Sequence, residues 1–299
     1  MGLSSSSRFT LWLILEVNTL LLIGIIYLRP GGKKTSALVK YFTIQSLSSI
    51  LFIYANASIL VISNYSLVIR IISLLLKLGI VPLHLWYLSL LQDLSWIRIF
   101  ILSTVQKLLP LFFIRRLITH YEIFIISLLS RFTGVWALGA SSIKRLIGYS
   151  SLLNIGWILL STLANPVFFQ FFLTYFFTIF GLINYFRYFI REKIRDFKKL
   201  GSFSDVVVVC LLILRLRAFP PLLGFWAKLY VLKLIIESSI LFTTLLLLNT
   251  VFIIYTYIAL VDFLFIARLD YSISAKKINI SNRGVVVFCL TLFGIVFLV

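Results

Sequence analysis

Acidic side chains are rare in this sequence: nine Asp and Glu stand against 28 Lys and Arg in 299 residues, and charged residues make up only 12%. A soluble domain carries roughly twice that share, about 25%, so a water-facing surface all round is excluded. Cysteine is rarer still. Cys210 and Cys289 lie far apart without partners, which supports neither a zinc site nor an iron–sulfur cluster. No G-x-G-x-x-G stretch and no P-loop occurs, so no nucleotide cradle is visible. The start, MGLSSSSRF, runs straight into an apolar stretch holding Glu16, unlike a cleavable signal peptide. Met1-Gly2 with Ser6 fits the myristoylation pattern, but a lipid adds little to a chain already full of spans. The single methionine beside 28 phenylalanines is the usage of an AT-rich organellar gene.

Apolar residues are what the chain has in excess, 61% of it, with a mean hydropathy of +1.10. The apolar runs are about 16 to 30 residues long and unbroken, not alternating strands of about ten. Backbone amides in lipid must be paired within their own segment, so the reading is an all-α polytopic membrane protein. Ten spans are expected, over 9–28, 38–62, 66–91, 97–118, 122–140, 147–164, 167–190, 204–237, 239–267 and 284–299. The eighth is too long for one straight crossing and carries Pro220 and Pro221, which predicts a broken helix. The whole chain, 1–299, reads as one transmembrane domain. Residues 9–118 and 119–237 form two repeat regions, with C-terminal helices over 238–299.

A net charge of +19 would suggest nucleic acid in a soluble protein. Here loop charge orients membrane helices instead, and no nucleic-acid partner is expected. The loops after odd-numbered spans hold Arg29, Lys33, Lys34 and Lys40, then Arg98, then Lys144 and Arg145. The basic segment 187–205 and the group Arg268, Lys276, Lys277 and Arg283 continue the pattern, while the other side shows little beyond Arg115 and Arg116. The odd loops are therefore expected to face the cytoplasm or the mitochondrial matrix. A faint repeat accompanies this: PLHLW (82–86) in the third span and PLLGFW (221–226) in the eighth both follow a proline break and end in tryptophan. Spans five helices apart have opposite directions, so the two would be related upside down, as in inverted-repeat transporters.

Several ionisable groups fall inside spans: Glu16, Lys77, His84, Lys107 and Lys228. Each mid-bilayer charge costs on the order of 2.5–3.5 kcal/mol, so something must offset them: pairing, internal water or neutralisation. Lys77 precedes Pro82, which is expected to free backbone groups near the ammonium. His84 is seven residues on, nearly the same helical face. Imidazole titrates near neutral pH, so the two would form half of a proton relay. The plainer reading is static: Lys77 as a fixed partner of Glu16, His84 packed against a backbone carbonyl, and Lys228 on a helix whose Lys233 and Glu237 can form a local ion pair.

The stretches LWLILEVNTLLLI (11–23), KYFTIQSLSS (40–49), KLGIVPLHLW (77–86), STVQKLLPL (103–111), SSIKRLIGYSSLLNIGW (141–157) and FPPLLGFWAKLY (219–230) carry a family likeness. In that order and spacing the chain resembles subunit 2 of NADH dehydrogenase (ubiquinone), an antiporter-like membrane-arm subunit of respiratory complex I. The resemblance covers residues 8 to about 235. It implies two inverted five-helix repeats, each with a Pro-broken helix, in the mitochondrial inner membrane. It implies that Glu16 and Lys77 are a switching ion pair, His84 and Lys107 a connecting polar axis, and Lys228 the lysine of the second broken helix. It also implies no redox cofactor in this chain, with flavin, iron–sulfur clusters and ubiquinone in other subunits. Partners would be neighbouring antiporter-like and other membrane-arm subunits, and lipid.

Three departures stand out. The chain starts just before the helix bearing the glutamate, so helices present in the family's full form are missing, or a separate chain supplies them. Arg217 and Ala218 replace the glycines before Pro220–Pro221, with Arg215 nearby. Arg131 sits where the family is apolar. A free-standing cation/proton antiporter and a static membrane scaffold are the alternative readings.

Overall fold

The computed structural model describes residues 8–28, 34–57, 63–117, 120–140, 142–163, 165–189 and 223–236, with parts of 210–214 and 240–258. Arg215, Arg217, Pro220 and Pro221, the tenth span, Cys289, Glu237 and most of the basic 187–205 segment lie outside those residues. Every regular element among them is helical: α1 (Arg8–Tyr27), α2 (Lys34–Ala57), α3 (Ser63–Leu78), α4 (Leu85–Asp93), α5 (Trp96–Ser103), α6 (Val105–Leu117), α7 (His120–Arg131), α8 (Thr133–Trp136), α9 (Ile143–Ser161), α10 (Asn165–Phe189) and α11 (Leu223–Ile236). Four stretches, Phe9–Tyr27, Thr35–Ala57, Trp96–Leu117 and Val167–Arg187, are long and apolar enough to cross a membrane. The chain divides into two compact units, Met1–Ser130 and Arg131–Val299.

In the first unit the helices pack along narrow stripes. On α1 the buried positions are Leu15, Thr19, Leu22 and Ile26, spaced four, three and four residues apart, while Leu13, Val17, Leu20 and Leu21 are exposed. On α2 they are Ala37, Tyr41, Gln45, Ser48, Ser49, Phe52 and Ala55, with Val39, Phe42, Leu47 and Ile50 outside. The outward faces are large and apolar, while the polar side chains Thr19, Gln45 and Ser48 are among those turned inward, the arrangement of a helix in lipid. The third span shows the same inversion, with Ser66 and Ser73 buried on the face that leads to Lys77.

That span breaks earlier than its proline. Gly79 takes a left-handed conformation (φ +67°); its N–H donates to the Leu76 carbonyl and that of Ile80 to Leu75, both at 3.1 Å. This is a Schellman end, so the helix stops at Leu78 and the irregular segment 79–84 contains Pro82 without being started by it. The face shared by Lys77 and His84 in a continuous helix accordingly does not exist. The fourth span carries a smaller irregularity at Thr104, between α5 and α6, and Pro110 inside α6. The fifth ends its regular helix at Arg131 and turns through α8 into a 3-10 segment, Ala137–Gly139.

The second unit is built around α9, which is buried along nearly its whole length. A helix buried on all sides belongs at the centre of a bundle; α8, α10 and α11 pack against it.

Gly79 is the position where glycine is required twice over. Its φ is strained for any other residue, and an added Cβ would lie 2.9 Å from the Tyr87 Cβ. Gly79→Ala is expected to cost about 1–3 kcal/mol from the backbone alone, read as a several-fold lower yield of the membrane-extracted protein at elevated temperature than the unaltered chain.

Candidate functional site

In the first unit five helices deliver polar side chains to one place. From α1 come Glu16, Asn18 and Thr19, from α2 Tyr41 and Gln45, from α3 Lys77, from α4 Tyr87, and from α6 Gln106 and Lys107. Lys77 Nζ stands 3.5 Å from Glu16 Oε1, the lysine side chain 2% exposed and the glutamate 26%. Charge-assisted N–H···O bonds are about 2.7–2.9 Å long, so this is a loose ion pair; neither Nζ nor Oε1 has a hydrogen-bond partner. The static pairing of Lys77 with Glu16 and the switching one share this geometry.

Several neighbouring groups are held by hydrogen bonds. Lys77 lies in the last turn of α3, where the negative end of the helix favours a cation. Its carbonyl, beyond the reach of the interrupted helix, accepts from Gln45 Nε2 at 3.4 Å. Gln106 Nε2 donates to the Asn18 carbonyl at 3.0 Å and its Oε1 accepts from the Tyr41 hydroxyl at 3.4 Å. Pro110 gives no N–H to the Gln106 carbonyl one turn back. Lys107 Nζ donates to the Tyr87 hydroxyl at 3.2 Å and lies 4.3 Å from that ring's centre. Thr19 Oγ1 is bonded to the Glu16 carbonyl at 2.7 Å.

Lys77, Tyr87 and Lys107 line one cavity of about 10 Å³, with Tyr41, Gln45 and Gln106 among the other walls. That is room for roughly one water molecule, not a file of solvent. The break at Pro82 does not line it. His84 does not line it either: it is buried at the start of α4, its Nδ1 3.3 Å from the Pro82 carbonyl. At one edge of this unit Lys40 Nζ and Ser36 Oγ meet Asp93 Oδ2 at 2.7 and 3.3 Å, tying α2 to the end of α4. Lys40 thus belongs to a helix and not to a loop.

Lys228 belongs to the second unit. Its Nζ lies 5.5 Å from the centre of the Trp157 ring, and the two residues line a second cavity of about 10 Å³ with Asn154 and Thr250. Arg131 rests against the same indole, Cζ 4.2 Å from its centre. One of its nitrogens, Nη1, donates to the Leu246 carbonyl at 3.4 Å, while Nε and Nη2 are buried without partners. The unexpected arginine is therefore a packed group on the α9 tryptophan.

Sequence reasoning passed over Tyr41, Gln45, Tyr87 and Gln106, and also Arg70, whose Nε donates to the Ser66 carbonyl at 3.1 Å. The signal was there: the two glutamines and Tyr41 sit inside the very stretches quoted for the family likeness.

Comparison with known proteins gives these sites their setting. The family model described as NADH:quinone oxidoreductase/Mrp antiporter, TM, matches residues 5–254. The chain belongs to that family. A curated NADH-ubiquinone oxidoreductase chain 2 from Lumbricus terrestris is 31% identical over 250 residues, covering 80% of this chain and 75% of the relative. In fold, the chain is similar to a subunit of respiratory complex I from Thermus thermophilus (TM-score 0.71, 19% identity, 86% of this chain and 65% of that one). It is also similar to a chain of the Mrp complex from Dietzia sp. (TM-score 0.69, 16% identity, 84% of this chain and 55% of that one). The chain thus spans a little under two thirds of the former and about half of the latter.

The loose pair makes a stability prediction. Glu16→Gln leaves a buried ammonium without its counter-ion, a loss that reaches about 3–5 kcal/mol for fully buried pairs and less at this partly exposed carboxylate. Adding Lys77→Met removes the orphaned charge, so the double variant is expected to accumulate to a higher level in native gels than Glu16→Gln alone. Equal levels would contradict the pairing.

Proposed function

We propose that this chain is the proton-translocating, antiporter-like membrane subunit of an NADH:ubiquinone oxidoreductase, moving protons over buried Glu, Lys and His groups while quinone is reduced elsewhere in the complex. The observation that carries the reading is the Glu16–Lys77 pair, 3.5 Å apart, beside a water-sized cavity that Lys77 shares with Lys107. An amine and a carboxylate at that separation can exchange partners or protons at modest cost, which a tight, dry salt bridge does not permit. In this reading Glu16 and Lys77 switch, Lys107 receives, and Lys228 is the titratable station of the second unit. His84 serves as a further proton-holding group at the start of α4.

The proposal extends to architecture and setting: about ten spans in two inverted repeats with two Pro-broken helices, in the mitochondrial inner membrane, with the basic odd-numbered loops toward the matrix. Its partners are the neighbouring antiporter-like and other membrane-arm subunits and the lipid. Flavin, iron–sulfur clusters and ubiquinone belong to other subunits. The family description and the likeness to the Mrp chain favour a second reading, a multi-subunit cation/proton antiporter without redox coupling.

In the assembled complex, Lys77→Met and Glu16→Gln are each expected to lower quinone reduction and proton uptake together, by about tenfold or more. Full coupled pumping in both would overturn the proposal, and uptake that never depends on NADH would favour the antiporter. Exchanging Glu16 and Lys77 separates a scaffold, which tolerates the swap, from a directional relay, which does not.

A further inference from the structure

Resting on that proton-translocating reading, we infer that Tyr87 is a relay residue of this chain: its hydroxyl carries protons between Lys107 and the cavity shared with Lys77. Three observations place it there. Tyr87 is 1% exposed and lines the cavity that Lys77 and Lys107 also line. Its hydroxyl accepts a hydrogen bond from Lys107 Nζ at 3.2 Å. Its position is held by a close contact, because Gly79 lets the Tyr87 side chain come so near that a methyl group at residue 79 would lie 2.9 Å from Tyr87 Cβ.

A phenol hydroxyl is both donor and acceptor, which is what a group between two amines must be. The transfer balances without any change of electrons. A proton leaves the Lys107 ammonium for the Tyr87 oxygen while the hydroxyl's own proton passes to a water in the cavity. Lys107 ends as a neutral amine and the phenol is regenerated. The proton on the water goes to the neutral amine of Lys77, which becomes an ammonium facing Glu16. The reverse order runs the same bonds backward. His84, absent from the cavity wall, is not needed for this step.

The competing role is structural: the ring as a cation–π platform for Lys107, whose Nζ is 4.3 Å from its centre. Tyr87→Phe distinguishes the two, since it keeps the ring and removes only the hydroxyl. Measured per assembled complex, the relay predicts about a tenfold fall in proton uptake linked to quinone reduction, the loss of about one hydrogen-bonded transfer partner. It also predicts partial recovery in Tyr87→His, whose ring nitrogens can again accept and donate. A platform predicts unchanged uptake in Tyr87→Phe, and that result overturns the inference. Should Tyr87→Phe assemble poorly, Tyr87→His decides alone: uptake as low as in Lys77→Met overturns the relay and more than half of normal supports it. Impaired pumping in Lys77→Met with normal pumping in Tyr87→Phe removes the tyrosine step only, whereas normal pumping in Lys77→Met removes the translocation reading beneath it.

Discussion

One buried ammonium constrains the first half of this molecule. Lys77 stands where a cation costs on the order of 2.5–3.5 kcal/mol, and its carboxylate partner, 3.5 Å away, offsets a similar amount. At an effective dielectric near 20, two charges about 4 Å apart attract by about 4 kcal/mol, before solvent reduces it at the quarter-exposed glutamate. Cost and compensation are thus of one size. A pair balanced in this way neither locks the helices together nor leaves the charge intolerable, which is what the proposed switch of Glu16 and Lys77 requires.

The backbone is shaped to the same end. By stopping α3 one residue beyond Lys77, Gly79 puts the negative end of a helix beside the ammonium and leaves carbonyls for side chains to satisfy. Gln45 takes the Lys77 carbonyl. The same glycine admits Tyr87 at close range, and Tyr87 in turn holds Lys107. A turn residue, an ion pair and a second lysine are one connected arrangement, and altering the glycine disturbs all of it.

Much of this could be read in the sequence, and the reason is the inversion of polarity. In a chain otherwise apolar, Glu16, Lys77, Lys107 and Lys228 are conspicuous because each is expensive, and the structure buries Lys77 and Lys107 in one cavity wall. The stretches that carried the family likeness prove to be the cavity walls: those holding Thr19, Gln45, Lys77 and Gln106 line the first, those holding Trp157 and Lys228 the second. Neutral hydrogen-bonding groups were harder to see, since a glutamine or tyrosine in a span is cheap enough to occur for many reasons. The assumption of a continuous helix also misplaced His84. A seven-residue spacing defines a face only while the helix lasts, and a glycine in the left-handed region ended it after Leu78. Pro82 drew attention as the stronger breaker in principle, yet the chain had already turned.

The size of the cavities bears on mechanism. A file of waters from Lys77 to Lys107 would conduct protons whether or not energy was supplied, and a coupled pump has to prevent that. In the proposed relay, space for about one water molecule, walled in part by hydrogen-bonded side chains, would let a proton cross only when its neighbours reorient. Gln106, fixed by Asn18 on one side and Tyr41 on the other, is such a neighbour, and so is the tyrosine under Lys107. The tightness that makes the site a poor wire would, in the proposed relay, let a shift in one ion pair decide whether the next transfer occurs.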